Sequence, residues 1–141
     1  MRASELHDRV VLDIDTAREV GRVAACILDP DASRIVGFRL GGASPVLALA
    51  DVRAVGADAV TVEGEAVLRQ PTDVHEQRAI ELGLDPVGVR LLGDDGSVLG
   101  TTTDVEFDED GTVRAVEVDG GQAVAGDRIL GIGDYAMVVR A

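Results

Sequence analysis

With 141 residues, 46% of them hydrophobic but only 2% aromatic, the chain must build its core from Val, Leu, Ile and Ala and has little to stack on nucleobases. All 13 basic residues are arginine against 26 acidic ones, and the resulting charge of −13 repels phosphate backbones and anionic lipid; no direct nucleic-acid binding is expected, and basic proteins or cations are the partners it favours. The lone cysteine, Cys26, excludes an intrachain disulfide and a multi-cysteine metal site, no run approaches the ~18 apolar residues of a transmembrane segment, and the opening MRASELHDR has no signal-peptide core, so a soluble cytoplasmic protein is expected.

In chain order, Val10 to Ile14 reads as a first strand, ended by a turn at Asp15-Thr16-Ala17. A second strand over Val20 to Leu28 turns tightly at Asp29-Pro30-Asp31 into a third over Ile35 to Leu40, a β-hairpin. Short elements follow the Gly41-Gly42 loop and end in Ala59-Val60-Thr61-Val62. The stretch from Gly64 to Val87 reads as a linker with one short helix over about Asp73 to Leu82, because Asp73 can cap it, Glu76 stands three residues on, and Gly83 and Pro86 bracket its end.

From residue 88 the pattern begins again. Val20-Gly21, Cys26, Leu28, Phe38, Leu40, Val55-Gly56 and Ala59 of the first copy match Leu99-Gly100, Val105, Phe107, Val116, Val118, Ile132-Gly133 and Ala136 of the second, and Leu12 is matched with Leu91. The expectation is an all-β protein of two small β-barrel units in tandem, residues 1–66 and 88–141, joined by linker 67–87.

Strand alternation then separates the copies. The parity of Cys26 and Leu28, like that of Val105 and Phe107, faces a core; the opposite parity carries Val23, Ala25 and Ile27 in the first copy but Thr102, Asp104 and Glu106 in the second. With Ile35 beside them, Val23, Ala25 and Ile27 are expected to form an apolar outer face that binds protein, either the second unit or another chain; burial under the linker helix is the alternative.

The repeat unit resembles the PRC-barrel family, small β-barrels named for the photosynthetic reaction-centre H subunit. The residues that carry the resemblance are Val20-Gly21-Arg22-Val23 to Ile27-Leu28-Asp29, Arg34 to Leu40 and Ala54 to Val62, with Val98-Leu99-Gly100, Val105 to Asp108, Val113 to Val116 and Leu130 to Val139 in the second copy. The resemblance implies a non-catalytic scaffold or adaptor that docks on a protein partner or self-associates, for example as a homodimer, with no cofactor. It also implies a narrower alternative, a ribosome-maturation-like factor contacting a small-subunit ribosomal protein. These 141 residues hold no transmembrane segment like that of the reaction-centre subunit, and where the maturation factor has its distinct N-terminal domain they hold another PRC-like unit, so neither specific role is expected to carry over.

A rival reading is a calcium site. Glu106, Asp108, Asp110, Thr112 and Glu117, with Gly111 at the sharp turn, fall on the alternating pattern of a calcium loop, although Glu106 stands where Asp is strongly expected and the flanks prefer strand to helix. Catalysis has less support. His7 and His75 are the only histidines and neither belongs to a nucleophile motif, while Cys26 sits on an inward parity where cysteine behaves as a small hydrophobe.

Overall fold

Two six-stranded sheets, one per repeat, make up the protein, which is a computed structural model describing residues 1–141. The first contains β1 (Val10–Asp13), β2 (Arg18–Asp29), β3 (Arg34–Leu40), β4 (Val46–Ala48), β5 (Ala54–Val55) and β6 (Ala59–Val62), in the order β4-β3-β2-β1-β6-β5. The second contains β7 (Arg90–Gly93), β8 (Val98–Phe107), β9 (Val113–Val118), β10 (Ala123–Ala125), β11 (Ile129–Ile132) and β12 (Met137–Val139), in the order β10-β9-β8-β7-β12-β11. In each unit one long strand turns the corner: β2 pairs with β1 through residues 18–22 and with β3 through residues 23–29. A bulge stands where the partner changes, the device by which a sheet bends into a half-barrel.

The duplication holds residue by residue. Val11 pairs with Gly21 and Val60 as Leu91 pairs with Gly100 and Met137; Ala25 pairs with Arg39 as Asp104 does with Glu117; Gly37 pairs with Ala48 as Ala115 does with Ala125. Three bulges recur at the same places, in β1 against β2, at Val23/Ala25 and at Ile27/Leu28, with counterparts in β7 to β9. The registers correct one sequence match, since Leu91 is the counterpart of Val11 and Leu92 that of Leu12. The backbone keeps the same record: the only non-glycine residues at positive φ, Asp8, Ala17 and Ser33, correspond to Gly88, Gly96 and Gly111, all at positive φ. One backbone path is therefore imposed on both copies, and the second uses the residue that follows it without strain.

The units are joined as a pair about an approximate two-fold axis. Arg34 at the start of β3 bridges Thr112, its own counterpart; Ile35 N–H donates to Gly111 O, and Val113 N–H donates to Ser33 O. Each unit thus offers the same two groups to the other, the signature of a self-complementary contact. The N-terminal helix α1 (Ala3–Leu6) crosses to β8, with Phe107 N–H donating to Met1 O and Arg2 bridging Glu106. One continuous core of 22 buried residues draws on both sheets, with Phe38, Leu47, Phe107, Leu91 and Met137 among its largest members. Neither unit closes its core alone, as the small size of each leads one to expect.

The linker helix α2 (Val74–Glu81) forms where the sequence places it. Asp73 caps it by accepting from Glu76 N–H, and Gly83 at positive φ ends it, with Leu84 N–H returning to Ala79 O. The expected capping box is shifted by one residue. Glu76 is buried and reaches back to Thr72 N–H while its carboxylate takes both guanidinium nitrogens of Arg69, at 2.7 and 2.8 Å. That pairing holds the Glu76 carboxyl below its ordinary range in spite of its burial. Arg69 also pairs backbone to backbone with Val46, covering the free edge of β4.

Candidate functional site

Val23, Ala25, Ile27 and Ile35 are all buried within the chain, so the exposed apolar face expected on the first unit does not exist. Ile27 belongs to a small cluster with Val46, Ala79 and Leu84, beneath the linker helix and the residues after it. Ile35 lies in the pairing between units, and Val23 and Ala25 floor a cleft between α1 and residues 85–87. The parity argument holds for Ala25 and Ile27, which the segments around them already cover, but the two bulges of β2 set Val23 opposite Leu40 and Ile35 opposite Leu28, in the shared core.

The polar counterparts depart from expectation as well. Thr102 and Asp104 are buried, and only Glu106 meets solvent. Each buried group is satisfied: Thr102 Oγ1 donates to Pro86 O and accepts from Val89 N–H. Asp104 accepts from Ser4 N–H at 3.0 Å, Ser4 Oγ at 2.5 Å and Val105 N–H at 2.9 Å, and pairs with Arg2 Nε at 3.1 Å. Burial alone pushes the Asp104 carboxyl up, but the bonds from Ser4 and Val105 and the Arg2 charge outweigh it, and the net shift is downward. Arg2 closes the arrangement through its second ion pair, to Glu117 at 2.9 Å.

Because Ala25 stands where the other copy has Asp104, the first unit has a cleft of about 290 Å³ whose lining includes Val23, Ala25, Cys26, Val87, His7 and Asp85. Its nucleophiles are not activated. Burial pushes the Cys26 thiol far up, Ser4 Oγ is given to Asp104, and His7 bonds to neither. Burial also raises the Asp85 carboxyl, against the opposing influence of Val87 N–H and the nearby His7 and Arg39.

The calcium-loop residues do not converge on one point. Glu106 and Glu117 lie on β8 and β9 rather than on flanking helices, Asp108 is paired with Arg114, Asp110 accepts from Thr112 N–H, and Glu117 is paired with Arg2. The helical frame that aims such oxygens at an ion is missing. Three other side chains do come together: His75 on α2 meets Asp29 and Asp31 of the β2–β3 turn, with one ligand atom from each within 4.8 Å of the others.

An exposed apolar surface lies on the second unit. Across its outer face the registers set Val98 beside Leu92, Leu92 beside Val138, and Val138 beside Gly131, with Leu130 in the bulge next to it. Val98 is 63% and Leu130 45% exposed, while Leu92 and Val138 are half-buried between them. Tyr135 stands 67% exposed, its ring 5.1 Å beneath the Arg90 guanidinium and its hydroxyl accepting from Arg90. The counterparts of Val98, Leu92, Val138 and Gly131 in the first unit are Glu19, Leu12, Thr61 and Ala54. Asp94, Asp95 and Asp134 occupy turns that flank the row, and Asp127 lies in the short 3-10 helix before β11. The signal was present in Arg90-Leu91-Leu92 and Val98-Leu99, but the one-residue misalignment of the first strand set Leu92 against the wrong partner.

No protein-family model matches the chain, and no curated protein matches it. No helix is long and apolar enough to cross a membrane.

Proposed function

We propose that the chain is a non-catalytic protein-binding module of the PRC-barrel type whose contact surface is the outer row Val98, Leu92, Val138 and Leu130 of the second unit. The observation that carries this reading is the difference between copies. At the places of Val98 and Val138 the first unit presents Glu19 and Thr61, so the sheet does not need apolar residues at those two positions to fold, while Leu12 keeps the place of Leu92. An apolar row kept in water on one copy alone is what a docking surface leaves behind. The Arg90–Tyr135 pair, with Arg90 two residues before Leu92 on β7, adds Arg and Tyr, residue types enriched among the anchors of protein interfaces.

Charge selects the partner. Residues 71–141 carry 15 acids against 5 arginines, so a second copy would bring two strongly acidic halves together, whereas an apolar patch rimmed by Lys and Arg is drawn in. A small-subunit ribosomal protein is one partner of that chemistry. The test compares tagged wild-type chain with a Val98→Glu/Leu130→Glu variant in capture from native extract, including co-sedimentation with small-subunit particles. The expected result is a stoichiometric complex with a basic protein that weakens with salt and loses about 100-fold in affinity in the variant, as two charges placed at an interface centre require. Equal capture by both chains, or no complex with either, contradicts the proposal.

A further inference from the structure

We propose that Asp29, Asp31 and His75 form a binding site for a divalent transition-metal ion of the zinc type. Asp29 ends β2, Asp31 lies in the turn after it, and His75 is on the first turn of α2, so the three come from two elements separated by more than forty residues of chain. His75 Nε2 lies 3.1 Å from Asp31 Oδ2 and 3.4 Å from Asp29 Oδ1. Ligands held about 2.0–2.2 Å from a tetrahedral ion are separated from one another by about 3.4 Å, so two edges of the coordination figure are already in place. The third edge, between the Asp29 and Asp31 oxygens, is no longer than 4.8 Å, and the Asp31 carboxylate, 78% exposed and held through its contact with His75, closes it by a small rotation.

Both sides of the site are held in position. Asp29 Oδ1 accepts from Asp31 N–H at 3.0 Å, which stiffens the turn, and Asp73 caps the helix that presents His75. Neither aspartate is paired with an arginine. Arg34, the nearest along the chain, gives its guanidinium to Asp110 O, and the other paired aspartates, Asp8, Asp104 and Asp108, have arginine partners of their own. Two carboxylates without an arginine partner thus share one imidazole, a donor set whose charge a divalent cation neutralises. The donor set chooses the ion: an imidazole nitrogen suits zinc, nickel, copper and iron, whereas calcium and magnesium take oxygen alone. Three protein ligands leave at least one position open to water. Bound there, the ion ties the tip of the β2–β3 hairpin to the helix that covers Ile27, and so fixes the linker on the first unit.

The experiment is calorimetric titration of the full chain, freed of metal by chelator, with zinc chloride, followed by the visible spectrum of the cobalt(II) form. We expect one ion per chain, a cobalt spectrum of four or five ligands with nitrogen among them, and a rise in melting temperature with zinc. His75→Ala and Asp31→Asn should each weaken binding by at least about tenfold, since each removes a ligand. Asp31 is on the surface, so its variant keeps the fold, and an unchanged metal-free melting curve verifies this. His7→Ala should leave the titration as it is. No heat with zinc, or binding equal in wild type and both variants, overturns the proposal and leaves His75 as an ion-pair partner of the hairpin.

Discussion

Replacing Asp104 with alanine should lower stability by about 3 kcal/mol at neutral pH, because one buried and two part-buried hydrogen bonds and an ion pair are lost together and Ser4 N–H is left without its acceptor. The loss falls on the packing of one unit against the other, since Asp104 holds the segment that precedes β1 onto β8. Its dependence on pH has a definite sign. The folded-state carboxyl titrates below its ordinary value, so the charged form stabilises the fold above the unfolded value of about 3.9. That contribution disappears as pH falls through the lower, folded value. Urea denaturation of wild type and Asp104→Asn should therefore show a wide gap at pH 7 that narrows below pH ~4. A gap that is small at pH 7, or that does not change with pH, contradicts the role assigned to this residue.

The second large effect is expected at Gly111, on the pseudo-two-fold axis. Its φ is +92°, and a Cβ added there would stand 2.1 Å from the backbone O of Ile35 in the other unit, too close for any side-chain adjustment to relieve. Gly120 supplies the control: its φ is +90°, and nothing lies within 4 Å of where its Cβ would be. Gly120→Ala should thus cost only the left-handed strain, about 1 kcal/mol. Gly111→Ala should add the separation of β3 from β9, bringing the total to about 3–5 kcal/mol. Thermal denaturation of the two variants side by side measures the difference, and similar melting temperatures would mean that the axis contact carries little energy.

The strands and their duplication were legible because each copy repeats an alternation the pleat demands, with Cys26 and Val105 both facing inward. The linker helix was legible through Asp73, Glu76 and Gly83, which act locally. What covers a face is not a local property. Val23, Ala25 and Ile27 were read as outward because β2 alternates; Ala25 and Ile27 are outward, and α1, residues 84–87 and α2 bury them, whereas the bulge at Val23/Ala25 sets Val23 opposite Leu40 in the shared core. The same assembly turned Thr102 and Asp104 from solvated positions into a satisfied polar seam. Three of the four groups that bond Asp104 come from Arg2 and Ser4, about a hundred residues away, and no periodicity announces such a partnership. The apolar row on the second unit depends on cross-strand register, which a slip of one residue inverts.

The central claim is that the two copies share one core and fold as one body. The chain carries its own reporters, since Cys26 is the only thiol and lies in the first unit, and Tyr135 is the only tyrosine and lies in the second, with no tryptophan to mask it. Urea unfolding followed by thiol labelling of Cys26 and by Tyr135 fluorescence should give one transition with coincident midpoints. Two separated midpoints would show that the halves unfold independently, and the account of a shared core would be wrong.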